Sequence, residues 1–139
     1  MSTHAINYRS EARQAGYGLG VCMDVLILYA VNHLLEWGVP FITPAFADVL
    51  WALNLSLGTA IVINAAFIAF DPPWWRRLGR AAMDATALLS TYVLFTVFPF
   101  DLPTVWLTSL FAMTLMLLIV VLAISTVVHL VQAGADVVR

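Results

Sequence analysis

Charge is what this sequence has least of. Only 10% of its 139 residues are Asp, Glu, Lys or Arg, against 63% that are hydrophobic, and so little polar surface cannot cover that much apolar material in water. A soluble globular domain is excluded and a membrane protein is expected. Basic residues number six, all arginine, and their one cluster is "WWRRLGR" at 74–80. With a net charge of −2, the chain has no surface that neutralises a row of phosphates, so nucleic acid is not an expected partner. Cysteine is nearly absent. Cys22 alone permits no internal disulfide, CxxC pair or thiolate zinc cage, and reads as a small apolar side chain. GxSxG, HExxH and Cys/His constellations are missing, which removes the usual hydrolase and metalloenzyme signatures. His33 and His129 belong near opposite ends of the apolar runs, so one chain does not offer haem two axial ligands at one depth. No cofactor is expected. A signal peptide is not expected either, because no small-residue cleavage site follows the first apolar run, which carries Asp24, Asn32, His33 and Glu36.

What is present is length in apolar runs. A helix crosses roughly 30 Å of hydrocarbon in about 20 residues, and stretches near 17–37, 46–70, 79–98 and 104–130 meet that need. The expected fold is therefore all-α and polytopic: four transmembrane helices in an up-down bundle of two helical hairpins. Residues 17–132 form its transmembrane domain, 1–16 a cytoplasmic juxtamembrane segment and 133–139 a cytoplasmic tail. No soluble catalytic domain fits beside these spans. An even number of crossings puts Arg9, Arg13, Arg76, Arg77, Arg80 and Arg139 on one side, while the opposite turns, "GVPFITPAFA" and "FPFDLP", carry no basic residue. Lys and Arg favour the cytoplasmic side, so both termini are expected there, in a multi-pass protein of the cell membrane. Trp74, Trp75, Arg76 and Arg77 read as interfacial anchors. Thr43-Pro44, Asp71-Pro72 and "DLPT" at 101–104 carry the residue types that start helices.

The two outer turns share a pattern, "PFITP" at 40–44 and "PFDLP" at 99–103, and Asp24 and Asp84 precede them by sixteen and fifteen residues. Two repeated hairpins would give this, as would the ordinary use of proline in tight turns. In either case the two aspartates come to similar depth.

A carboxylate near the middle of a span costs about 2.5–3.5 kcal/mol on insertion scales, so it is expected to face neighbouring helices or a wet cavity. Counted at 1.5 Å per residue, Asp24, Asn64 and Asp84 lie roughly 8–10 Å from the arginine-bearing ends, with His129 nearer the end. They make a candidate inner polar layer. Asn32, His33, Glu36, Asp48 and Asp101 make a candidate outer layer, with ligand types that suit a divalent cation but no diagnostic spacing, so no metal is assigned. Asn32, Asn54 and Asn64 read most simply as interhelical hydrogen-bonding groups. On the third span, Asp84, Ala87, Leu88, Thr91 and Phe95 share a face that is expected to meet the first span. On the fourth, Thr114, Val121, Ser125 and His129 should turn inward. Asp24 and Asp84 are either a protonatable pair or structural partners of Arg76 or Arg80.

Two functions from different classes fit. The leading one is a non-catalytic accessory or scaffold component of a membrane complex, held by lipid and by a membrane-protein partner or a second copy. The alternative is an oligomeric channel or transporter in which the carboxylates pass a cation or proton.

Overall fold

The computed structural model describes residues 3–138. It is all-helical, with four helices: α1 (Thr3–His33), α2 (Leu50–Ala69), α3 (Pro73–Val97) and α4 (Val105–Val138). Among the described residues three stretches are long and apolar enough to cross a membrane: Tyr8–His33, Pro44–Ala69 and Val105–Val138. The helix α3 has the length, 25 residues, but its first half holds Arg76, Arg77, Arg80 and Asp84. Arg139, one of the six arginines, lies outside the described residues.

Helix boundaries depart from the sequence expectation for local reasons. At its start α1 runs through the polar segment that precedes the apolar run, because "EARQA" consists of good helix formers. It stops at His33 rather than Trp37. Gly38, at φ +62°, takes the left-handed conformation that a side chain resists, and Glu36 falls in the turn beyond the helix. Thr43-Pro44 does start a helical segment, yet Pro44–Val49 winds as a 3-10 helix and α geometry begins only at Leu50. Pro73 opens α3 six residues before the expected span, with extended Pro72 ahead of it, as suits a ring whose missing N–H would have been unpaired anyway. Its far end is closed by Phe98, left-handed at φ 43°. Pro99 follows, and disfavours a helical residue before it.

The helices lie side by side in chain order. Among the described residues α1 packs on α2, α2 on α3 and α3 on α4, and no close approach links α1 with α3 or α4. The α1–α4 contact that closes an up-down bundle is thus missing from this single chain. The Asp84 face of α3 meets α4, not α1, because α2 stands between the first and third helices.

Between α2 and α3 a glycine marks a close approach. A Cβ at Gly79 would stand 2.5 Å from the tip of Phe67 and 2.8 Å from Ile63 Cγ2, so only glycine permits this approach. Phe67 is fully buried, with Tyr17 of α1 on one side (ring centroids 5.2 Å apart) and Trp75 of α3 edge-on at 6.5 Å. By contrast, none of the described side chains of α1 is buried. At the far end, the two PFxxP turns join. Thr43 N–H donates to Pro99 O and Asp101 N–H to Phe41 O, each at 3.0 Å, which satisfies turn groups that would otherwise be left without partners. Ile42 faces Phe100 in this antiparallel bridge, one residue out of step with the PFxxP equivalence.

Candidate functional site

Among the described residues, polar side chains on different helices meet at these four places. The first joins α1 to α2 near the arginine-bearing end. Asn64 Nδ2 donates to Asp24 Oδ2 at 3.4 Å, a long bond. Asn64 fits there because Gly20, one turn before Asp24, has no side chain: a Cβ would come within 3.2 Å of the amide nitrogen. The second joins the same helices farther out. Asn32 donates to Asn54 Oδ1 at 2.7 Å, Asn54 returns a bond to Asn32 Oδ1 at 3.1 Å, and Asn32 also donates to Leu28 O at 2.8 Å.

The third joins α3 to α4. Ser125 and His129, one helical turn apart on α4, both reach one oxygen of Asp84: Ser125 Oγ–H donates to Oδ2 at 2.5 Å, and His129 Nδ1 lies 2.8 Å from it. The Asp84 and His129 side chains are 22% and 23% exposed, so the carboxylate is half-sheltered and satisfied by two groups. In a Ser-His-Asp triad the imidazole stands between hydroxyl and carboxylate and takes the hydroxyl proton. Here the carboxylate is central and both the serine and the imidazole are bonded to it, so the arrangement is not that triad.

The fourth gathers the arginine-bearing ends. Asp71 lies 3.0 Å from Arg76 and 3.8 Å from Arg13, and accepts from Tyr17 OH at 3.2 Å. It therefore ties α1 to the start of α3 rather than capping the helix with its side chain. Arg77 Nη1 donates to Gln132 O at 3.1 Å and stands 2.9 Å from Asp136 Oδ2 as a charge contact. Trp74 is exposed and packs edge-on against Trp75, whose Nε1 is buried without a hydrogen-bond partner.

The proposed layers are therefore divided. Asp24 and Asn64 belong to the α1–α2 pair, and Asp84 and His129 to the α3–α4 pair. The aspartates hydrogen-bond to different partners and neither pairs with an arginine. Of the outer group, only Asn32 bridges helices through its side chain. His33 Nδ1 lies 2.7 Å from Tyr29 O, one turn back on its own helix, and its ring stacks on Tyr29 at 4.1 Å. Glu36, Asp48 and Asp101 are exposed. Among the described residues no three His, Cys, Asp or Glu side chains gather as a metal-holding group.

Sequence reasoning missed Asp71 and Asp136 as the acceptors for the arginines, whereas Asn32, Asn54 and Asn64 do bond between helices as expected. One signal was available. "LG" at 19–20 and "MD" at 23–24 recur at 78–79 and 83–84, marking the first helix of each hairpin. The partners correspond too: Asn64 follows Asp24 by 40 residues and Ser125 follows Asp84 by 41.

No protein-family model matches the chain, and no curated protein or solved structure matches it.

Proposed function

We propose that this protein is a four-span integral protein of the cell membrane, with both termini and the α2–α3 turn in the cytoplasm, and that it serves as a non-catalytic accessory or scaffold component of a membrane complex. The observation that carries the reading is the open order of the helices. Among the described residues α1 is backed by α2 alone and buries no side chain, while α3, its counterpart in the second hairpin, is flanked on both sides. Helices associate in lipid through close packing and hydrogen bonds rather than through a hydrophobic drive. A helix supported on one flank has the other free for a partner helix. Counting α3 as a span rests on its 25-residue length and on the arginines, which anchor at the interface and need not enter hydrocarbon.

Affinity purification from native membranes should recover a membrane protein in fixed stoichiometry. A chain that purifies alone as a stable homo-oligomer would defeat the scaffold reading. Topology is tested separately, with single cysteines placed in a Cys22→Ser background. Labelling of residue 78 from the cytoplasm and of residue 41 from outside is expected, and the reverse, or labelling of both from one side, rejects the threading.

A second reading, an oligomeric ion or proton pathway, is favoured by one observation: Asp24 and Asp84 have amide, hydroxyl and imidazole partners instead of arginines. It requires pH- or cation-dependent flux in proteoliposomes that Asp84→Asn abolishes.

A further inference from the structure

The α3–α4 cluster differs from the other three in what a proton does to it. The Asn32–Asn54 pair has no titratable group. Asp24 faces an amide, and Asp71 and Asp136 face guanidinium groups that stay charged. Among the described residues only Asp84 faces an imidazole, that of His129, a side chain whose two nitrogens can hold one proton or two. The surroundings leave this pair alone. On α3, Arg80 sits one turn before Asp84 and, among the described residues, forms no salt bridge to it, and Arg77 is engaged by Asp136 of α4. The helix α2, packed against the other side of α3, contains no titratable residue; the 3-10 segment Pro44–Val49, which also packs on α3, carries one, the exposed Asp48; and α1, which carries Asp24, makes no direct helix contact with α3.

We propose that Asp84, Ser125 and His129 form a binding site for a single proton, with His129 Nε2 as its port. Nδ1–H of His129 and Oγ–H of Ser125 both donate to the Asp84 carboxylate, which fixes the tautomer of the ring, since the second nitrogen takes whatever role the first leaves it. In the loaded state the imidazolium and the carboxylate cancel and the cluster is neutral. On release the Nε2–H bond breaks, the proton passes to water, the electron pair stays on Nε2, and the cluster carries one negative charge. His129 lies toward the arginine-bearing end of α4, one turn closer to it than Ser125, so exchange takes place with water on that side. A net charge in apolar surroundings is costly whereas a neutral, hydrogen-bonded pair is tolerated, so loading and release alter how firmly α3 and α4 are joined. This adds a ligand to the accessory reading and needs no partner protein.

The test is nitrogen NMR of the full chain, labelled with 15N-histidine, in liposomes of neutral and anionic phospholipid between pH 5 and 9. His129→Gln identifies the resonance. The expected result is one imidazole that changes charge within this range, whose Nδ1 remains protonated on both sides of the transition, and whose tautomer preference disappears in Asp84→Leu but survives in Ser125→Ala. A His129 ring that holds one charge state throughout, or a neutral form protonated at Nε2, overturns the proposal from the native chain alone, whether or not the variants fold. An unchanged tautomer in a helical Asp84→Leu protein overturns it as well.

Discussion

The two hairpins are built alike and glued differently. In each, a first helix carrying Leu-Gly and Met-Asp pairs ends at a PFxxP turn, and its aspartate bonds to a side chain on the second helix. Between α1 and α2 the bonding is mainly amide to amide: Asn32 with Asn54, and Asn64 reaching a single carboxylate. Between α3 and α4 carboxylates meet basic side chains: Asp84 with His129, and Arg77 with Asp136. Neutral amides can pair in a low-dielectric setting without any question of charge balance, whereas a carboxylate there must be matched by a cation or a proton. Among the described residues the first hairpin thus joins its helices through neutral amides and one carboxylate, Asp24, whereas the second joins them through acid–base pairs that salt can screen. Packing does not follow that division: none of the described side chains of α1 is buried, but its partner α2 buries Ala52, Ile63 and Phe67, while α3 and α4 bury Ala81, Ser90, Leu115 and Ala133.

The seam between the hairpins offers the largest effect. Gly79→Leu should destabilise the protein by about 3 kcal/mol, at the upper end of what overpacking usually costs. The added atoms meet Ile63 and a Phe67 ring that is boxed in by Tyr17 and Trp75. Gly20→Ala within the first hairpin should cost under about 1 kcal/mol, because it meets only the end of the Asn64 amide, which can rotate aside. Thermal unfolding of both variants in one detergent checks the contrast, and equal losses would mean that α2–α3 is not the tight seam.

Within the hairpins, removal of the carboxylates should separate them again. Asp84→Ala strips both Ser125 and His129 of their acceptor and should cost about 1–3 kcal/mol, the usual penalty for stranding sheltered polar groups. Asp24→Ala gives up a single 3.4 Å bond and should cost about 0.5 kcal/mol or less. If the two losses proved alike, the two hairpins would not differ in the way their bonding suggests.

The sequence reveals some of this and conceals the rest for physical reasons. Apolar runs of spanning length, the proline-marked starts near Pro44 and Pro73, and the segregation of arginines are one-dimensional features, legible by counting. The helix neighbours are not, because four antiparallel helices can order themselves in several ways and only contact chemistry chooses. The Asp84 stripe looked inward correctly, but nothing in "MDATALLSTYVLF" says that α4 rather than α1 lies opposite. Of the expected inward face of α4, Ser125 and His129, four apart, do turn to α3, whereas Thr114 and Val121 are exposed. Arg77 and Asp136 are 59 residues apart with no periodic relation between them. Gly79 reads as one small residue in a helix start until Phe67 is seen against it.

A double-mutant cycle sharpens the amide side of the comparison. Asn32→Leu and Asn54→Leu should each cost about 1 kcal/mol, with a coupling near 0.6 kcal/mol, the mean for polar pairs between membrane helices, unchanged by pH or salt. The smallest effect expected belongs to Arg77 and Asp136 at the end of the second hairpin. Their contact is 2.9 Å, but the side chains are 37% and 22% exposed, so solvent screens the attraction and exposed pairs are generally worth 0–1 kcal/mol. Asp136→Asn should therefore lower stability by about 0.5 kcal/mol in low salt, and by less still once the Debye length falls to about 3 Å at 1 M salt. The donation from Arg77 to Gln132 O is untouched by that substitution and should hold the helix ends together in both conditions. A salt-independent loss for Asp136→Asn would mean that the contact acts through packing, and that charge distinguishes the second hairpin only at Asp84.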